Sequence, residues 1–368
     1  SANLKINDWF SVQARGNVDY INDNYEQKMY AGTTADVAHQ NGRYIKMNRQ
    51  DFMVYGDFMA MFNKTWNDWS LNAAIGSSIN TTKVNSLSLD SGKSGLYKAN
   101  VFTVPNMNLS GAGTSYIDET ANQRRTIQSA FATAQLGWKE SIYLDVTARN
   151  DWSSTLPKNN RSFLYPSFSL GWAVTDMLTK FKVNVPEWIS FGKLRASYAE
   201  AGNDTDPYQL LSVLSTVSNM AGGQMGVAEP STKTNANLKP EIIKSMEFGA
   251  DVRFFDNRLG FDVTYYDKRA YNQIISMPSS ITSGYSAKYI NAGRVDNWGW
   301  ELQVNAVPVR TKDWDWNVWV NFAKNSSKIV ELTEGVESIT LAQPMGQNCY
   351  VRATVGEPYG QIYTNGFK

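Results

Sequence analysis

The chain has 368 residues, a formal net charge of +1, a mean hydropathy of −0.40, 13% aromatic residues and one cysteine. Near-neutral charge excludes a nucleic-acid binder that works through a basic surface, a lone Cys349 excludes an internal disulfide, and no apolar run approaches the ~18 residues of a transmembrane helix. That length fits two ordinary domains or one large all-β architecture, and with neither an initiator Met nor a signal peptide at Ser1 the chain reads as an internal fragment or a trimmed product.

Strand-like alternation recurs from end to end, because side chains of a strand point to opposite faces in turn. Trp9 to Tyr20 carries Phe10, Val12, Ala14 and Val18 on one face and Gln13, Arg15, Asn17 and Asp19 on the other. A polar stretch runs to about Gln50, and its segment Asn22–Glu26 reads as a solvated turn without the spacing of a calcium loop. Phe52 to Phe62 is the next strand, followed by a link over Asn63–Asp68, a strand from Trp69 to Ile79 and a long loop from Asn80 to Arg125. Ala130 to Trp138 and Ile142 to Ala148 form a hairpin about the turn Lys139-Glu-Ser141. After a loop over Asn150–Phe163 comes a strand with Phe168, Leu170, Trp172 and Val174; Asp176–Pro186 has room for one helical turn. Leu194, Ala196 and Tyr198 mark a strand, and Glu200–Lys239 reads as a long loop with a glycine-rich tip at Ala221–Gly226.

Met246 to Tyr266 shows the clearest pattern. Met246, Phe248, Ala250, Val252 and Phe254 alternate with Glu247, Gly249, Asp251 and Arg253; after Asp256-Asn257 the alternation resumes as Leu259, Phe261, Val263 and Tyr265. Asp and Asn tolerate the left-handed backbone of a two-residue hairpin turn. Pairing Phe255 with Arg258 sets Phe254 opposite Leu259, Val252 opposite Phe261 and Ala250 opposite Val263. It also sets Asp251 opposite Asp262, which is unfavourable unless Arg253 or water separates them. A loop from Asp267 to about Ala292 follows, then Trp298–Ala306 and Trp314–Phe322 about a turn at Pro308–Asp313, with Ala306 facing Trp314 and Leu302 facing Val318. The tail from Lys324 reads as a loop with one or two strand pieces.

The apolar faces of the best-defined strands carry no Asp, Glu, Lys or Arg in a chain that is 19% charged. A bilayer demands this, since a Lys or Arg at mid-depth costs about 2–4 kcal/mol. Aromatics crowd beside the short turns (Trp66, Trp69, Trp138, Tyr143, Phe254, Phe255, Trp314 and Trp316), as they do where an apolar ring with a polar edge meets headgroups. The opposite face carries both signs, including Arg15, Asp57, Asp145, Lys193, Arg195, Glu247, Asp251, Arg253, Asp262 and Glu301, which suits a wet lumen. The expected fold is all-β: an antiparallel transmembrane β-barrel, partial, with about eleven or twelve strands of a larger barrel. Residues 1–368 are expected to be a segment of one barrel domain, needing further strands because open edges are not tolerated in lipid.

Three ordered blocks carry a family resemblance. They are Tyr143-Leu-Asp-Val-Thr-Ala-Arg-Asn-Asp-Trp-Ser-Ser-Thr-Leu-Pro157 with Phe163-Leu-Tyr-Pro-Ser-Phe-Ser-Leu-Gly-Trp172; Leu238-Lys-Pro-Glu241 with the hairpin; and Ser283-Gly-Tyr, Tyr289-Ile-Asn-Ala-Gly293 and Asn297-Trp-Gly-Trp-Glu-Leu302. Gly356-Glu-Pro-Tyr-Gly360 adds a late-barrel motif. The chain resembles the SusC/RagA family of TonB-dependent outer-membrane transporters of Bacteroidetes over nearly its whole length. The resemblance implies a barrel of about 22 strands filled by a plug, energised by TonB through parts outside this chain and covered by a SusD-like lipoprotein that captures glycans or peptides. The plug and the TonB box are not seen here.

No catalytic constellation is present, and neither a cofactor nor a metal site is expected. His39 sits in a polar loop, and Cys349 has no partner thiol. The substrate-contact candidates are Arg149, Asp151 and Trp152 at the outer end of a strand, and Tyr285, Tyr289 and Asn291 in a loop at the mouth. For each, the bland alternative is that it fixes strand-to-loop geometry. The expected function is import of an oligosaccharide or peptide across the outer membrane; the rivals are a passive channel, a soluble carbohydrate-binding β protein and, weaker, an outer-membrane enzyme.

Overall fold

The structure is a computed structural model that describes residues 1–368 except 110–115, 218–225, 343–348, 365 and 367–368, together with the side chains of 215–217 and 281. Its strands are β1 (Ala2–Lys5), β2 (Phe10–Met29), β3 (Arg43–Trp66), β4 (Trp69–Asp90), β5 (Tyr116–Trp138), β6 (Ile142–Ser153), β7 (Ser162–Ala173), β8 (Ile189–Asn203), β9 (Ser215–Val217), β10 (Gly226–Ala228), β11 (Thr232–Lys233), β12 (Glu241–Phe254), β13 (Leu259–Pro278), β14 (Ala287–Arg310), β15 (Asp315–Glu331), β16 (Ser338–Ala342), β17 (Cys349–Thr354) and β18 (Gln361–Thr364). A 13-stranded sheet takes β1 to β8 in chain order, then β12, β13, β14 and β15, with the two-residue β11 added in parallel beside β14. Strands β9 and β10 pair with each other, and β16–β17–β18 form a small separate sheet. Among the described residues the one α-helix is α1 (Val174–Lys180), where one turn was predicted, and no helix is long and apolar enough to cross a membrane.

The chain divides into two compact units. The first comprises Ala14–Asp57 and Ser78–Gln128 with Ser1. Its core is Tyr44, Leu96 and Met107, with Leu89, Phe102 and Leu109 half-buried against it. Polar ties fix it: Arg43 Nε donates to buried Asp90 at 2.8 Å, Arg15 Nε to Asp57 at 3.0 Å, and the Asn106 amide to the Lys98 and Val101 carbonyls. Asn48 donates to Asn22 and Asn24, which lie in β2.

The second unit holds Ala2–Gln13, Phe58–Ser77 and Ser129–Lys368. At one end its strands join through short turns at 67–68, 139–141, 255–258 and 311–314 and through the 174–188 link that holds α1, and at the other through segments at 154–161, 204–240 and 279–286. Lys139 (φ 50°) and Glu140 (φ 48°) supply the left-handed pair that a tight hairpin needs. In the central hairpin every predicted pair is present: Phe254–Leu259, Val252–Phe261, Ala250–Val263 and Asp251–Asp262. Phe255 also turns left-handed (φ 54°) and donates its N–H to the Trp188 carbonyl at 2.9 Å, beyond the Asp-Asn pair predicted. Aromatics gather at this end, with Trp188 stacked on Phe254 at 5.6 Å and Trp69 beside Trp138 at 6.1 Å.

The apolar face is uncovered. Trp300 is 53% exposed, and Phe261 and Val318 are only partly covered. On that face the apolar rows give way to charge: Asp267 stands on the rung of Met246 and Trp298, and Glu200, Lys244, Arg269, Asp296 and Lys328 fall on the next across β8, β12, β13, β14 and β15. Lys324, paired across from Trp300, is the cation that stands lower, where a long side chain can reach up to water.

Strands are longer than predicted. The polar stretch after Tyr20 is strand as far as Met29 and again from Arg43, so Asn22–Glu26 is no turn; Asn80–Asp90 and Tyr116–Arg125 are strand; and the loop expected at Asp267–Ala292 shrinks to 279–286. Crossing hydrocarbon takes only about 9–11 strand residues, and beyond it both faces meet water, so apolar alternation disappears while backbone pairing continues. The β14–β15 register also differs from expectation: Ala306 pairs with Val318 and Leu302 with Phe322. Strand β14 runs to Arg310 through a bulge between Ala306 and Val309, which moves the turn toward Trp314. Of the predicted glycine-rich tip, 221–225 lies outside the described residues and Gly226 opens β10.

Candidate functional site: the polar wall and its loop end

The polar face of β6 to β15 is a fitted wall of opposite charges. The facing carboxylates of the central hairpin are each neutralised: Arg253 grips Asp251 through Nε and Nη2 at 3.2 and 2.9 Å, while Arg195 reaches from β8 to Asp262 (3.0 Å) and Thr264 (2.6 Å). Arg253 was the expected separator; Arg195 shares the task. Arg195 crosses over Gly249, where a Cβ would lie 2.4 Å from its Nε, so only glycine leaves room. Farther round, Gln135 donates to Asp145 at 2.7 Å, and Lys268 lies near Glu247 and over the Tyr266 ring. Such a surface offers hydrogen bonds to a hydrated cargo without a net field.

Toward the long loops the same face acquires buried structure. Arg149 donates to Asp151 Oδ1 at 2.8 Å and to Ser129 Oγ at 2.7 Å, and its guanidinium lies 5.9 Å from the Phe131 ring. Tyr165 donates to the other Asp151 oxygen at 2.5 Å. Arg149 and Asp151 are therefore brought together and already hydrogen-bonded to the protein; Trp152, one residue on, is 37% exposed. Asn291 clamps the Lys239 backbone, accepting from its N–H and donating to its carbonyl, both at 2.7 Å, and donates to the Asn272 carbonyl at 3.0 Å. Tyr289 packs against the buried trio Leu156, Phe163 and Leu238. Tyr285 stands apart in the 279–286 loop, donating to Glu229 at 3.1 Å with Lys233 5.8 Å from its ring; the Glu229 carboxylate pushes its hydroxyl pKa up. The six residues do not converge on one point.

The motif Leu238-Lys-Pro-Glu241 has a local cause. Asn272 (φ 57°) and Gly293 (φ 85°) are both left-handed, which breaks the β13–β14 ladder at their rung. Glu241 accepts from the Ile274 N–H at 2.8 Å, and Asn291 takes the Asn272 carbonyl, so the freed backbone groups find partners. Leu238, fully buried, anchors the segment.

Sequence reasoning missed two features here. Ser153 and Thr155 both donate to Asp204, and all three are buried; Asn203-Asp204-Thr205-Asp206 looks like solvated loop, and nothing in its spacing announces burial. The second is a packed cluster of Val295, Ile329, Leu332, Ile339 and Ala353, where β16–β17 folds against the outer ends of β14 and β15. Its members are scattered through the tail that reads as loop. His39 accepts from the Asn41 N–H at 3.2 Å, and Cys349 is a half-buried free thiol. Among the described residues no group of His, Cys, Asp and Glu could hold a metal ion.

A sequence profile of the family described as TonB dependent receptor-like, beta-barrel, matches residues 1–345. The chain belongs to that family. This TonB-dependent receptor barrel is 31% identical over 224 residues to the TonB-dependent receptor P3 of Formosa agariphila, covering 60% of this chain and 22% of P3. It is 28% identical over 222 residues to the TonB-dependent receptor SusC of Bacteroides thetaiotaomicron, covering 58% of this chain and 22% of SusC. Among solved structures the RagAB peptide transporter superposes with a TM-score of 0.76 at 22% identity, over 97% of this chain and 38% of that one. The fold is that of an outer-membrane β-barrel of the SusC/RagA kind, and the chain spans well under half of each of these relatives.

Proposed function

We propose that the outer-membrane protein carrying this barrel segment imports oligosaccharides or peptides, driven by TonB and working with a SusD-like surface lipoprotein. On this reading residues 1–368 are one continuous piece of wall, and a plug contributed by another part of the polypeptide contacts TonB. The observation that supports it most is the pairing of an uncovered apolar face with a charge-balanced polar face on the same strands, within a family of TonB-dependent receptors. Of the substrate-contact candidates, Tyr285 keeps surface for cargo in the 279–286 loop; Trp152 stands on the other face of β6, in line with Leu144 and Val146, and Arg149, Asp151, Tyr289 and Asn291 act through the geometry they hold.

Uptake of a labelled oligosaccharide and of a labelled peptide, measured in cells of the source organism with and without the gene, tests the proposal. Uptake of one cargo should require the gene and stop when the proton gradient is collapsed. Gene-dependent uptake that survives the collapse would replace the importer by a passive channel.

A further inference from the structure

One link at the turn end is unlike the others. Between β7 and β8 the chain runs through 174–188, α1 included, where the neighbouring turns take two to four residues. Four contacts place this link on the lipid side of the sheet. Trp172 donates its indole N–H to Met177 Sδ at 3.0 Å, and the Phe181 ring lies 6.2 Å from that of Trp138. Trp188 stacks on Phe254 at 5.6 Å, and buried Thr175 accepts from the Gly192 N–H at 3.1 Å. All four anchor points belong to the apolar rows: Trp172 pairs with Leu194, Phe254 with Leu259 and Gly192 with Val252, and Trp138 continues the row of Leu136.

The link itself is amphipathic. Phe181, Val183 and Trp188 are each about half exposed, on a surface continuous with the lipid-facing rows. Lys182 turns left-handed (φ 59°) and the Val183 N–H closes on the Leu178 carbonyl at 2.9 Å, which ends α1 and brings residue 183 back beside it. The charges of the link, Asp176, Lys180, Lys182 and Glu187, are two of each sign, so no net field favours an anionic surface. A helix this short leaves most of its backbone without intrahelical partners, which hydrocarbon does not tolerate. Apolar rings beside balanced charge, at the height where the aromatics of the sheet gather, match the zone between acyl chains and zwitterionic headgroups.

We propose that residues 174–188 form a foot lying in the headgroup boundary of the leaflet at the turn end, with Phe181, Val183 and Trp188 seated among the first methylenes of zwitterionic phospholipids. The foot holds the wall at a fixed height in the membrane, whether or not the barrel imports. The outer-membrane protein carrying this chain, in a cysteine-free background, is reconstituted in phosphatidylcholine vesicles with iodide on both sides. An environment-sensitive fluorophore on Phe181→Cys or Val183→Cys should emit to the blue of one on Asn257→Cys, at the tip of the central hairpin, and lose most of its quenching by iodide. A nitroxide at the top of the acyl chain should quench it more strongly than one at the chain end. Adding Phe181→Asp to Val183→Cys should restore iodide access and Phe181→Leu should not, with the circular dichroism of the sheet unchanged in both.

Iodide access at 181 and 183 equal to that at 257 would leave the link standing in water, open to a soluble partner, and overturns the proposal. Stronger quenching from the chain end than from the top would sink the link into hydrocarbon and overturns it as well.

Discussion

The two ends of the strands in the larger unit are built on different principles. At the turn end, backbone closes on itself within a few residues at every link but 174–188, and the large side chains remain outside: Trp188, Phe255, Trp314 and Trp316 are all more than half exposed. At the loop end, apolar side chains turn inward and form small packed clusters around Leu238 and Ile329, each fully buried. One end is organised for a surrounding apolar solvent and the other for water, although the same strands run through both. Burial at the turn end is completed by lipid, and at the loop end by the protein itself.

The largest expected effect probes the loop end. Leu238→Ala removes a fully buried anchor packed against Leu156 and Phe163 and should destabilise its surroundings by about 2–5 kcal/mol. Hydrogen exchange should quicken in 154–161 and 236–241 while the turn end keeps its protection; loss of protection everywhere would mean that the two ends are one cooperative unit. Next, Leu302→Arg places a charge within the apolar rows and should cost about 2–4 kcal/mol in a bilayer, whereas Gln303→Arg, one residue away on the wet face, should cost little. Reversible unfolding from lipid vesicles measures both, and equal costs would contradict the assignment of faces.

A smaller effect is expected inside the polar wall. Arg195→Ala leaves Asp262 facing Asp251 with one guanidinium between them. Because both partners of the Arg195–Asp262 pair are more than a third exposed, the loss should be about 1 kcal/mol. Adding Asp262→Asn should recover most of it, and a double-mutant cycle showing no coupling would dismiss the bridge as decoration. The smallest belongs to Tyr285. Its hydroxyl titrates above the ordinary tyrosine range because of Glu229, so their contact is intact at neutral pH and lost only as pH climbs through that raised value. Tyr285→Phe should leave the unfolding midpoint unchanged and accelerate exchange only in 279–286.

The sequence was legible where lipid imposed its rule. Alternation with an apolar side free of charge at Met246–Phe254 and Leu259–Tyr265 is what a strand facing hydrocarbon requires, and the hairpin register followed residue for residue. It failed where strands emerge. Residues such as Asn80–Asp90 and Asp267–Pro278 have polar groups on both faces and read as loop, yet ladder hydrogen bonds carry them on as strand. The site was harder still. Tyr289 and Asn291 look like mouth residues, but one packs and the other pins a backbone, a distinction that depends on the broken rung at Asn272 and Gly293. Leu332 and Ile339 belong to a stretch with no periodicity, and only the fold of the tail brings them to one cluster.

The charged rung through Lys244, Arg269 and Asp296 sets a waterline on this part of the protein. From Arg269 strand β13 continues to Pro278, and at about 3.3 Å per residue that is roughly 30 Å of paired backbone above the hydrocarbon. A molecule arriving from outside would meet protein flanks well before the level of the acyl chains. Antibodies raised against this raised parapet should bind intact cells without touching the bilayer at all.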